Sequence, residues 1–136
     1  MNATRLYLAL TAFLLAASPC FAEEVLGTWT SDEEVMHVKF DPCGDALCGN
    51  VVWVRPDSDV KAKVGQRLFY DMRRDGTNSW SGKAVSPSNG SVYLAKMSVE
   101  GSNLSLTGCV VNGLICKSAK WRRVPLWRAA GRKGDQ

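Results

Sequence analysis

Apolar and polar residues alternate through positions 35–53 (VMHVKFDPCGDALCGNVVW), with Cys43 and Cys48 bounding a tight turn between two runs. If the two cysteines face each other across that turn, Phe40 opposes Val51 and Val38 opposes Trp53. His37 and Lys39 then fall on the other side. One face is apolar and the other mostly polar, the pattern of a β-hairpin packed on a core with its back to water.

The same reasoning applies at each later turn. Around Glu100-Gly101-Ser102-Asn103, pairing sets Val99 against Leu104, Met97 against Leu106, Ala95 against Gly108 and Tyr93 against Val110. Around Pro87-Ser88-Asn89-Gly90 it sets Ala84 against Tyr93, Gly82 against Ala95 and Trp80 against Met97. Both turns therefore select the same inward residues on the shared strand. Asn112-Gly113, the strongest short hairpin signal, places Cys109 opposite Cys116, Val110 opposite Ile115, Leu106 opposite Ala119 and Leu104 opposite Trp121. Lys117, opposite Gly108, is the one interruption of that face, and its long stem can snorkel at a rim.

Upstream the period is less clear. Arg73-Arg74-Asp75-Gly76 reads as a turn joining residues 66–72 to 77–85, with Phe69 inward and aligned with Trp80; a bulge would select Leu68, Tyr70 and Met72 instead. Residues 55–65 (RPDSDVKAKVG) lack alternation and form the long loop, and residues 26–30 make one more short strand. The sum is eight consecutive antiparallel strands, with helical pieces no longer than a turn or two. Such a set buries most by closing into an up-and-down barrel, whose interior is filled by side chains or holds one small ligand.

The first residues alter the picture by adding an address. Arg5, a short apolar run over residues 6–17, and small residues at Cys20 and Ala22 form a secretory leader of residues 1–22, too short to span a bilayer, with cleavage after Ala22. A lipoprotein, acylated at Cys20, is the weaker reading because Pro19 precedes it. The expectation is a periplasmic or secreted protein with a barrel domain over residues 23–124 and a basic tail over residues 125–136, solvated and frayed. The formal charge of +4 at pH 7 is a mild excess, and nucleic acid is not an expected partner. Cys43, Cys48, Cys109 and Cys116 remain after cleavage, and in an oxidising compartment their spacing predicts two local disulfides rather than a thiolate metal site.

Chemistry is sparse. His37 is the single histidine and falls on the outward face. Asp57-Ser58-Asp59 begins like a calcium loop, but Leu68 stands where the bidentate Glu is needed. With the cysteines oxidised no thiolate nucleophile remains, and there is neither a nucleophile elbow nor a phosphate loop. An enzyme is the least favoured class, and no metal or cofactor is expected. The aromatic set is more informative. Trp53, Trp80, Tyr93 and Met97 are candidate lining for a small apolar ligand, with Gly82, Ala84, Ala95 and Gly108 leaving space beside them. The competing reading is that the indoles simply complete the core.

Gly27-x-Trp29, the Cys43-Gly44-x-x-Leu47-Cys48-Gly49 turn with Val51-Val52-Trp53, Trp80-x-Gly82, Pro87-x-x-Gly90-x-x-Tyr93, and Leu104-x-Leu106-x-Gly108-Cys109 running on to Trp121-Arg122-Arg123-Val124 together resemble the bacterial domain of unknown function 2147 family. Its members are small exported proteins described as lipocalin-like. The resemblance covers nearly all of the chain after the leader. Val85 and Ser86 depart from it, standing where an aromatic and an Asp or Asn are expected before the proline. Lipocalins share the Gly-x-Trp of the first strand and stack a last-strand arginine over that indole. The resemblance thus implies structural roles for Gly27, Trp29, Trp121 and Arg122 or Arg123, a cation over an indole closing one end of the barrel. Two functions follow as expectations: a lipocalin-like carrier of a small apolar molecule, or an envelope protein-binding module, such as an inhibitor of a lytic enzyme, acting through residues 55–65 and 86–91.

Overall fold

Strands β1 (Gly27–Ser31), β2 (Met36–Cys43), β3 (Ala46–Val54), β4 (Arg67–Gly76), β5 (Ser79–Val85), β6 (Val92–Glu100), β7 (Asn103–Val110) and β8 (Ile115–Arg123) follow one another around a closed antiparallel barrel in the computed structural model. A short helix, α1 (Leu126–Gly131), comes after β8. The structure describes residues 24–110 and 114–131, with backbone alone for 129–131. Residues 1–23, where the leader is expected, residues 111–113, with the expected Asn112-Gly113 turn, and residues 132–136 lie outside them.

The second half of the barrel has the register that its turns predict. Trp80 pairs with Met97, Gly82 with Ala95 and Ala84 with Tyr93. Met97 then pairs with Leu106, and Leu104 with Trp121. Both local disulfides are present, Cys43–Cys48 with Cα atoms 5.5 Å apart and Cys109–Cys116 at 4.1 Å.

The first half departs from expectation in two places. In the β2–β3 hairpin the register slides, so that Asp41 opposes Cys48 and Cys43 opposes Ala46, and the disulfide runs diagonally. Further along, Val38 opposes Val51 but His37 opposes Trp53, leaving Val52 as an extra residue in a bulge. Beyond a one-residue bulge the faces exchange. Trp53 therefore shares the outer face with His37 rather than pairing with Val38 in the lumen. In β4, Asp71 takes a positive φ of 52° where the β4–β5 register shifts between Tyr70 and Arg73. Phe69 and Met72 are both buried as a result, and Phe69 opposes Ala84 instead of Trp80. The backbone that turns at Asp71 passes so close to β5 that a Cβ on Gly82 would lie 2.6 Å from the Asp71 carbonyl oxygen.

Trp29, Phe40, Met72, Trp80, Met97 and Leu104 fill the lumen. Their shared end of the barrel is closed by the chain entering β1. Trp29 Nε1–H donates to the Val25 carbonyl at 2.9 Å, and Arg123 donates to the carbonyls of Leu26, at 2.8 Å, and Glu24. The Arg123 guanidinium lies 4.3 Å from the centre of the Trp29 ring. Gly27, at φ 114°, allows this close approach, since a Cβ there would come within 3.0 Å of the Arg123 side chain. Of the two candidate arginines, Arg123 makes the stack. Arg122 turns outward to Asp32 at 3.4 Å and Glu34 at 3.5 Å. We call this the strapped end.

The opposite end flares. β1 meets β8 only at residues 121–123, because Ser31, its last residue, already opposes Trp121. Residues 115–120 of β8 project beyond it, paired with β7 alone and exposed on both faces.

Candidate functional site

A recess of about 410 Å³ opens at the strapped end, between the strap and the β2–β3 and β4–β5 turns. Its apolar wall is Leu26, Pro42, Leu47, Met72 and the Trp80 indole. Register explains why these meet. Leu47 opposes Met72 across β3 and β4, and Arg74 opposes Trp80 across β4 and β5, so all stand on the inward face near their strand ends. The arginines at the rim differ in state. Arg73 grips Asp45 through two contacts, at 3.0 and 3.1 Å, and that hydrogen-bonded pairing holds the Asp45 carboxyl below its usual pKa and raises that of Arg73. Arg74 lies over the Trp80 ring, 4.9 Å from its centre, and has no ion pair among the described residues.

Trp80 itself is 1% exposed, and its Nε1–H has no acceptor among the described residues. The Ser31 hydroxyl is likewise buried and unpartnered. Such a group forgoes about 1–3 kcal/mol relative to a satisfied one.

A second recess of about 290 Å³ lies outside the barrel, among Thr30, Glu34, His37, Arg122 and Arg128. His37 is on the outer face, as the alternation implies, yet only 3% exposed. Trp53 tilts against it, with ring centres 4.6 Å apart. Val124, just before α1, is buried, and Arg128 of α1 reaches Glu34 at 3.5 Å. The start of the basic tail is thus an ordered helical turn held by an ion pair rather than a frayed end. Alternation reports sides, and only the covering segment decides which outer residues are hidden. Near the β4–β5 turn, Asp75 accepts hydrogen bonds from Ser79, at 2.6 Å, and Ser81, which lower its pKa. Among the described residues no three His, Cys, Asp or Glu side chains gather as a metal-binding set, and no helix is long and apolar enough to cross a membrane.

The four candidate lining residues do not share one cavity. Trp80 and Met97 are cross-strand neighbours in the lumen, and only Trp80 reaches the strapped-end recess. Tyr93 is half-buried on the inward face towards the flared end, and Trp53 is off the lumen altogether. Leu47 and Arg74 are the recess residues that sequence reasoning missed. The bulge alternative named Met72 as inward, and what it did not show was Leu47 and Arg74 meeting there, since that depends on where the β4 register shifts.

These observations define a closed eight-stranded antiparallel barrel with two disulfide-stapled hairpins and a strapped mouth. Residues 27–123 match the family described as uncharacterized proteins conserved in bacteria, domain of unknown function 2147, and the chain belongs to it. The match begins at the Gly27 of the strap and ends at the Arg123 that ties it. No curated protein and no solved structure matches the chain.

Proposed function

We propose that this protein is a non-catalytic binding protein, lipocalin-like in use as well as in outline, which takes a small, largely apolar molecule into the recess at its strapped end. The leader of residues 1–22 would export it to the periplasm or beyond, so that the cysteines pair in an oxidising compartment. The observation that carries this reading is the recess walled by Leu26, Pro42, Leu47, Met72 and Trp80, a tryptophan whose indole N–H is buried and unpartnered among the described residues. A mostly apolar concavity with one or two placed polar groups is the usual form of a small-molecule site. The lumen proper is filled, so the guest sits at the mouth and not along the axis. Native mass spectrometry of the exported protein, purified from a bacterial envelope, should show a bound small-molecule adduct that a Leu26→Lys variant lacks. Adduct-free protein would overturn the reading, and amino-terminal sequencing of the same sample should begin at Glu23.

A second reading has its own observation. Residues 117–120 of β8 have no β1 residue across from them, and Leu114 and Ile115 just before them are exposed. Unpaired edges accept added strands. Residues 115–123 (ICKSAKWRR) contain no acidic residue, so the matching partner is an acidic, extended segment of another envelope protein. Replacing Lys117 and Lys120 by Glu should abolish capture of such a peptide, and unchanged capture would remove this edge from consideration.

A further inference from the structure

The rim of the strapped-end recess is asymmetric in charge, and that asymmetry specifies its guest. Arg73 and Asp45 neutralise one another. Arg74 faces no carboxylate among the described residues, and its guanidinium rests against the Trp80 indole. A guanidinium over an aromatic ring is held by the ring's charge distribution and still has N–H donors for another group. The buried Trp80 Nε1–H belongs to the same ring. One cation without an ion pair among the described residues and one unpartnered indole therefore belong to the same wall as Leu26, Pro42, Leu47 and Met72.

We propose that the recess takes an anionic amphiphile, its acidic head held by Arg74 and the Trp80 N–H and its apolar body laid against Leu47 and Met72. This rests on reading the recess as a ligand site. Arg73 is engaged by Asp45 and also feels the Asp71 carboxylate, which leaves Arg74 as the rim cation without an ion pair among the described residues. The stack on Trp80 also keeps Arg74 from swinging into solvent, so little side-chain freedom is lost on binding.

Decanoate and decanol test the proposal as a pair, alike in apolar body and different in head. Calorimetric titration of the leader-free protein at low salt should show decanoate binding about tenfold more tightly than decanol, since a charge-assisted hydrogen bond is stronger than a neutral one. The Trp80 indole cross-peak in ¹H–¹⁵N spectra, assigned with a Trp80→Phe variant, should shift downfield with decanoate. Arg74→Gln, at an exposed position, should cancel the preference by weakening decanoate binding about tenfold more than decanol binding. Equal affinities for the two probes, or a preference that survives Arg74→Gln, would overturn the anionic head and leave the apolar recess standing. If neither probe binds, the ligand reading of the recess fails with it.

Discussion

The two ends of this barrel are built from strands of the same alternating kind and reach opposite conditions. At the strapped end, Trp29, Met72, Trp80 and Leu104 are sealed by neighbours on every side. At the flared end, Ile115 and Ala119 keep the same inward parity but stand exposed, Ile115 at 59%. The difference is one of height. β1 stops at Ser31, level with Trp121, and leaves the first six residues of β8 with no wall across from them. Facing the axis is thus necessary for burial in a barrel, and it is sufficient only where strands of comparable reach surround the position.

The largest expected contrast between the ends comes from side-chain truncation. Trp29→Ala should cost about 3–5 kcal/mol, since it removes a fully buried indole together with the surface on which Arg123 stacks. Ile115→Ala should fall within about 0.5 kcal/mol of the parent. Denaturant unfolding with the disulfides intact would measure both, and comparable losses would break the comparison.

Glycine replacement sharpens it. A Cβ on Gly82 would meet Asp71 backbone and the Met72 sulfur at 2.6 Å, whereas one on Gly108 would meet nothing nearer than Tyr93 Cβ at 4.0 Å. Gly82→Ala should therefore destabilise by about 1–3 kcal/mol. Gly108→Ala should be neutral or stabilise by up to about 1 kcal/mol, as expected for alanine over glycine inside a strand. Thermal melts of the two variants check the pair.

The smallest effect is acid. Asp45 and Asp75, both at turns of the strapped end, have carboxyl pKa values held below the ordinary 3.8, Asp45 by Arg73 and Asp75 by Ser79 and Ser81. A depressed carboxylate stabilises the fold above its unfolded pKa and loses that contribution as pH falls through the folded value. Both groups are fully exposed, so the melting temperature should fall only slightly between pH 5 and pH 2, with hydrogen exchange loosening first at the β4–β5 turn. An Asp45→Asn, Asp75→Asn variant should lose that part of the acid response.

Much of the architecture could be read from residue order, for reasons particular to the second half of the chain. From Trp80 to Trp121 the strands carry no bulge, each turn has an Asn or Gly to place it, and the pairings of Trp80, Met97, Leu106 and Leu104 follow by counting. In the first half, counting fails where the backbone inserts a residue. Val52 moves Trp53 to the outside, and Asp71 draws Met72 inward. The recess was illegible for the same reason, since Leu47, Met72 and Arg74 converge only after the β4 bulge. The strap was more accessible. The resemblance to lipocalins through Gly27-x-Trp29 implied a last-strand arginine over that indole and left Arg122 and Arg123 equal, and Arg123 is the one that stacks.

The Arg123 that ties down Glu24 and Leu26 comes from the far end of the barrel sequence, 97 residues after Leu26. The seam between first and last strands is consequently the slowest-closing loop available to this chain. Whatever route delivers the polypeptide, its opening segment must wait, unfastened, until synthesis or translocation has supplied the residues around 123. A shortened chain lacking them would be a curled ribbon with its tryptophans bared, and that makes this seam the natural point at which quality control could tell a finished molecule from an arrested one.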